Sequence, residues 1–261
     1  MTKQRITKNV ILAPLLLGMI LLASCGVWKS NAAVPADASS GSKSIVESDP
    51  ASIPDYAGED YAVLNNGKPC FNSWDIENIT GEHYSELDRL GRCGCAYALI
   101  DRSMMPDKER EDIGYIKPSG WKQRKYEGIV DADPPFLYNR SHLIARALTG
   151  QDANERNLIT GTRYMNATTM LPWEEMVMRH IEDNDVHVLY RVTPYFKGDE
   201  LLARGVEMEA YSVEDKGSLC YHVFVYNIQP GIELDYATGE NALTNMVSER
   251  TQRKYKIQMH F

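Results

Sequence analysis

The sequence predicts an α+β fold built on an antiparallel sheet. Three runs, 187–195, 205–213 and 220–228, alternate apolar and polar residues with the period and spacing of a strand meander. One helical pattern, 172–184, opens on Pro172, a residue favoured in the first turn of a helix. The 261 residues are 43% hydrophobic and 25% charged, a globular balance that excludes a disordered, collagen-like or multi-spanning membrane chain.

Taken in order, the chain opens on Lys3, Arg5 and Lys8 without an acid, followed by an apolar run over 10–23. A basic start and a short apolar stretch describe a secretory signal, and the run is short for a membrane span. It ends Leu22-Ala23-Ser24-Cys25-Gly26, which resembles the lipobox of bacterial lipoproteins and makes Cys25 the expected lipid anchor. An uncleaved signal anchor is the alternative, and either one exports the rest of the chain. Residues 26–59 are rich in Ala, Ser, Asp and Pro without sustained periodicity, the composition of a disordered linker. A single domain is expected over 60–261, long enough for one core and free of internal repeats.

Within that domain, Tyr61-Ala62-Val63-Leu64 reads as a short strand and Asn65-Asn66-Gly67-Lys68-Pro69 as a turn. Residues 88–97 read as loop into strand, and Lys117-Pro118-Ser119-Gly120-Trp121 as a turn. After Asp133-Pro134-Pro135, the apolar Phe136-Leu137-Tyr138 forms a strand running into Asn139-Arg140-Ser141-His142. Residues 143–148 form a short element stopped by Gly150, 151–156 a polar loop, and 157–160 a second short strand closed by Gly161. The helix and the three meander strands complete the chain.

Setting Cys25 aside leaves Cys70, Cys93, Cys95 and Cys220. An even count in an exported chain favours disulfides, with three possible pairings. No Cys-x-x-Cys pair occurs, and Cys93-Gly94-Cys95 is too tight for the usual zinc spacing.

The informative stretch is 139–175. It holds a strand ending near a His, a loop, a second strand, and an Asn shortly before a helix. Phosphodiester hydrolysis needs a base for water, a cation for the leaving oxygen and guanidinium groups for the phosphate. Histidine suits the base because its ordinary pKa is close to neutral. An Asn amide oxygen suits Mg²⁺, a hard ion that takes few protein ligands.

The order Asn139-Arg140-Ser141-His142, then Asn157-Leu158-Ile159-Thr160-Gly161-Thr162-Arg163-Tyr164-Met165-Asn166, resembles the DNA/RNA non-specific endonucleases of the ββα-metal (His-Me finger) class, most of all streptococcal secreted and membrane-attached DNases. The likeness extends over 61–240 and includes Lys117-Pro118-Ser119-Gly120-Trp121 and Leu234-Asp235-Tyr236-Ala237-Thr238-Gly239-Glu240. Where the family's first motif reads Asp-Arg-Gly-His, this chain has Asn139 and Ser141 but keeps Arg140 and His142. The resemblance implies a ββα-metal element beside the sheet and His142 as general base. It implies Asn166 as ligand of a single Mg²⁺, with Glu174, eight residues on, holding metal-bound water. Arg140 would bind or position the phosphate, and Asn157 matches a further active-site Asn. The Arg that some members carry four residues after the Glu is Met178 here, with Arg179 a partial substitute. The nine residues 117–125 hold four basic side chains and no acid, so Lys117, Lys122 and Arg124 are expected DNA contacts, with Trp121 available for stacking.

Each assignment has a plainer competitor. Asn166 alone is a loop or capping residue, Asn157 a turn residue, and Glu174 a first-turn acid suited to the helix dipole. The expected activity is Mg²⁺-dependent endonuclease action on DNA, with RNA a second substrate class and no small-molecule cofactor. Attachment to the membrane is through the N-terminal lipid or signal anchor. A catalytically weak surface DNA receptor on the same fold is the first rival; intact His142 and Asn166 speak against it. A protease or esterase is the second, and neither His-Glu-x-x-His nor Gly-x-Ser-x-Gly occurs. The 28 basic against 36 acidic residues give a net charge of −8, so DNA binding must rest on a local basic groove.

Overall fold

The computed structural model describes residues 53–247. The leader, Cys25 and most of the expected linker lie outside the described residues. Within that expected linker, Ile53 packs beside Phe224 and Tyr226, and the Pro54 carbonyl accepts a hydrogen bond from the Tyr226 hydroxyl at 2.9 Å.

The strands are β1 (Tyr61–Val63), β2 (Glu82–Tyr84), β3 (Ala96–Ile100), β6 (Val188–Tyr195), β7 (Gly205–Ser212) and β8 (Cys220–Tyr226), in one sheet ordered β1-β8-β7-β6-β3-β2. Every neighbouring pair is antiparallel, and β6-β7-β8 is the expected meander. The helix predicted from Pro172 is α3 (Leu171–Asn184), closed by Asp185 in the left-handed conformation at φ 53°. It buries Val177 and Ile181, one turn apart, against Ala96, Ala98, Val188, Tyr190, Val206, Met208 and Val223.

Between β3 and β6 lies a second, two-stranded sheet of β4 (Tyr138–His142) and β5 (Leu158–Thr162), separated by the short α2 (Arg146–Thr149). With α3 it forms a strand-strand-helix unit. The sequence places the end of β5 at Gly161, but Gly161 pairs with Asn139 inside the ladder and the strand continues to Thr162. A Cβ at Gly161 would sit 2.1 Å from Ser141 Oγ and 2.6 Å from Met165 Cε, so this glycine permits close packing rather than a turn.

The free edge of β5 is bound to the main sheet by two side chains that follow β8. Asn227 Oδ1 accepts from Thr162 N at 2.9 Å, and Asn227 Nδ2 donates to the carbonyls of Thr160 and Ala203. Gln229 Oε1 accepts from Tyr164 N at 3.1 Å. Both side chains are buried, and they satisfy strand-edge groups that would otherwise be costly to bury. A small hairpin, β9 (Ile232–Leu234) and β10 (Asn241–Leu243), packs with Trp121, Val130, Leu137 and Tyr138 in a separate apolar cluster. Among the described residues no helix is long and apolar enough to cross a membrane.

Candidate active site

The strand-strand-helix unit opens onto a cleft of about 830 Å³. His142, Asn166 and Glu174 all line it, from the end of β4, the turn before α3 and the first turn of α3.

His142 is the last residue of β4 and is nearly buried. The loop after it is fixed by Asn157. Leu143 N donates to the Asn157 carbonyl, Ile144 N to Asn157 Oδ1 at 2.9 Å, and Asn157 Nδ2 to the Ile144 carbonyl at 3.0 Å. His142 Nε2 lies 3.0 Å from the Asp152 carbonyl. A carbonyl only accepts, so Nε2 carries the proton and Nδ1 is the basic nitrogen of the neutral ring. Burial lowers the pKa of His142, with Arg110 adding to the effect against the opposing carbonyls of Asp152 and Gln151. The imidazole is therefore neutral at neutral pH, the form a general base requires.

Asn166 sits in a π-helical turn, Met165–Thr169, that leads directly into α3. Met170 N donates to the Met165 carbonyl at 2.9 Å, and Thr162 Oγ1 accepts from Met165 N. Such wide turns are common at functional sites because they displace one residue from the helical ladder. Neither the Asn166 amide nor the Glu174 carboxyl has a hydrogen-bond partner among the described residues. Glu174 is half-buried beside the cleft, with protein packed against one side of it. That desolvation, helped by Glu175, pushes its pKa up to about 8. An unpartnered amide oxygen and a desolvated carboxylate are hard oxygen donors, and they fit a divalent cation such as Mg²⁺.

Arg140 is anchored rather than free. Its Nε donates to the Ile116 carbonyl, its Nη2 to the Gly114 carbonyl, and the guanidinium lies 4.3 Å from the centre of the Trp121 ring. Trp121 lines the cleft. Lys117, Lys122 and Arg124 are exposed and outside its lining, and Arg124 pairs with Glu240 at 2.9 Å. Arg179 pairs with Glu175 on the exposed side of α3 and does not reach the cleft, while Met178 packs on the core. Asn157 is fully buried, and its amide is engaged by Ile144, which makes it a positioning residue behind His142.

Three further arginines, Arg110, Arg146 and Arg163, line the cleft with Arg140; its lining acids are Asp133 and Glu174. The cleft is thus basic on an acidic chain. Arg146 Nε donates to Asp152 Oδ1 at 2.7 Å, which braces the loop whose carbonyl holds His142. Arg163 has no side-chain hydrogen bond or ion pair among the described residues and lies three residues before Asn166, the one signal by which sequence could have found it. Arg146 opens α2, just after His142, whereas Arg110 is joined to the cleft by tertiary contacts alone.

Three comparisons bear on this site. The family described as DNA/RNA non-specific endonuclease matches residues 73–214. A deoxyribonuclease from Streptococcus dysgalactiae subsp. equisimilis is 37% identical over 118 residues, 43% of this chain and 35% of that protein. The chain therefore matches about a third of the length of that relative. NucA from Streptococcus agalactiae, solved with a magnesium ion bound, superposes with a TM-score of 0.63 at 27% identity, over 74% of this chain and 90% of that one. The Sda1 nuclease, solved with a bound zinc ion, gives 0.58 at 27% identity, over 71% and 96%.

Proposed function

This chain belongs to the DNA/RNA non-specific endonuclease family, and on that premise we propose that it is a Mg²⁺-dependent endonuclease hydrolysing phosphodiester bonds of DNA, and of RNA, with little sequence preference. The observation that carries this reading is the meeting of His142, Asn166 and Glu174 in one arginine-lined cleft.

In this reading His142 Nδ1 removes a proton from the attacking water while Nε2 keeps its own proton on the Asp152 carbonyl. Asn166 would hold the cation through its amide oxygen, and Glu174 would accept hydrogen bonds from the ion's water shell. When bound, Mg²⁺ supplies neutralisation of charge on the phosphate and the leaving oxygen. The cation would also favour the ionised form of Glu174, which burial alone disfavours. Arg163 and the remaining edge of Arg140 would receive the phosphate, and Trp121 offers a base a flat apolar surface. Arginines that contact phosphates read no base edges, which accounts for the low sequence preference.

The N-terminal pattern supports export with lipid attachment at Cys25, tested by whether Cys25→Ala frees the protein from membranes. The activity is tested by nicking of supercoiled plasmid with Mg²⁺, with EDTA, and with Mg²⁺ restored. Nicking that EDTA abolishes and Mg²⁺ restores is expected. Retardation of plasmid without nicking would identify a DNA-binding module instead.

A further inference from the structure

On the side of the sheet away from α3, Arg191 of β6, Glu209 of β7 and His222 of β8 stand in one cross-strand row, with Glu207 two residues before Glu209. All four are buried. Arg191 Nε donates to Glu209 Oε2 at 2.6 Å, and His222 Nε2 contacts Glu207 Oε1. Over this row lies the segment before α1 (Ser73–Asn78): Cys70 N donates to Glu209 Oε1 at 2.6 Å, and Phe71 covers the Arg191 guanidinium at 4.9 Å. Cys70 Sγ and Glu209 Oε1 each lie 3.9 Å from His222 Nδ1, and the three ligand atoms fall within 4.8 Å of one another.

We propose that Cys70, Glu209 and His222 form a second, structural site for a thiophilic divalent metal, Zn²⁺ by chemical class, separate from the cleft. A thiolate, an imidazole and a carboxylate are the zinc donor set, and a thiolate disfavours Mg²⁺. Ligand atoms on a tetrahedral zinc stand about 3–4 Å apart, so the present spacing needs only a small contraction. The His222 contact with Glu207 is the carboxylate–histidine arrangement that holds a metal-ligating ring in place: Glu207 accepts the Nε2 proton and leaves Nδ1 for the metal. The Lys68 carbonyl, 3.1 Å from the same Nδ1, is a further oxygen within reach, and half-buried Cys70 marks the way in.

Charge supports the exchange. Without metal, Glu207 and Glu209 balance Arg191 and a protonated His222. Both His222 nitrogens face acceptors, Nε2 the Glu207 carboxylate and Nδ1 the Lys68 carbonyl at 3.1 Å, as the doubly protonated ring requires. Binding one Zn²⁺ releases the Cys70 thiol proton and the His222 Nδ1 proton, two protons for two positive charges, so the buried cluster stays neutral throughout. The metal would clamp the 68–78 segment onto β7 and β8, joining parts of the chain more than a hundred residues apart.

The test is metal content of the full chain, reduced, stripped and reconstituted with Zn²⁺ in excess Mg²⁺. About one zinc per chain is expected in the wild type and in Asn166→Ala, and its loss in Cys70→Ser. Co²⁺ in place of zinc should give a thiolate charge-transfer band that Cys70→Ser removes. Glu207→Gln, which keeps the shape of the cluster, should weaken zinc affinity by roughly 10–100-fold. Zinc that is absent from the wild type, that survives Cys70→Ser, or that disappears with Asn166→Ala would overturn the proposal. Finding Cys70 in a disulfide in the natively exported protein would overturn it as well.

Discussion

The two faces of the central sheet carry opposite chemistry on the same strands. In β7, Val206, Met208 and Ala210 join the apolar core under α3, while Glu207 and Glu209, between them, face the segment before α1. Both sets are buried. The apolar face supports the cleft through packing that tolerates no charge. The polar face holds its charges without solvent, so each must be balanced inside the protein. Two histidines express the difference. His142, beside the cleft, is kept neutral by burial, whereas two carboxylates overcome burial and favour the protonated form of His222. The apolar face thus supports the proposed site at its edge, and the polar face holds the segment before α1.

The comparison breaks most visibly at His142. His142→Ala should lower plasmid cleavage by roughly 10²–10⁴-fold, the worth of a positioned base, with the thermal midpoint little changed. Wild-type turnover in that variant would remove the base from this cleft.

Glu209→Gln tests the other face. It leaves the Arg191 charge buried without its counter-charge, a loss of about 3–5 kcal/mol measurable by urea unfolding. Cleavage per folded molecule should be unaltered. A cost below 1 kcal/mol would mean the polar face is solvated after all.

Gly161→Ala joins the two regions, because its methyl group would collide with Ser141 and Met165 between β4 and β5. A destabilisation of about 1–3 kcal/mol is expected, together with slower cleavage as His142 and Asn166 shift apart. Unchanged stability and rate would show that the ladder gives way freely.

The pH profile sharpens the histidine contrast. As the proposed base, His142 would work when neutral, and burial holds its pKa below the ordinary 6.5, so the acid limb of cleavage should fall below pH 6.5. The same depression favours the fold above the unfolded value, and that contribution is lost as pH falls through 6.5 to the folded value. An acid limb centred above pH 6.5 would contradict the buried setting of His142.

The smallest effect belongs to Arg124, exposed and paired with Glu240. Arg124→Ala should change stability by less than about 1 kcal/mol. If the residue contacts DNA, the salt slope of binding should fall by about one. An unchanged slope would remove it from the substrate path.

Local pattern made much of this legible. Alternation located β6, β7 and β8 within two residues, and Pro172 with the 3.6-residue period located α3, because both signals depend only on which side of its own backbone a residue faces. His142, Asn166 and Glu174 follow from the family resemblance rather than from period, and they carry over together because all three lie within one continuous strand-strand-helix unit. Gly161 marks the limit of local pattern: glycine signals turns and close approaches alike, and only the position of Ser141 separates the two.

What the tertiary structure decided is what long-range pairing brings together. Arg110 reaches the cleft through Asp152, and Asn227 and Gln229 dock β5 from beyond the end of β8. The sequence determined that the meander strands alternate, but not that their polar side would be covered by residues 68–78. Cys70, Glu209 and His222 have no motif spacing, and they meet because the register sets Glu209 opposite His222 and the segment before α1 folds over both. A period shows which residues share a face; what covers that face is fixed only when distant segments pay the entropy of closing on one another.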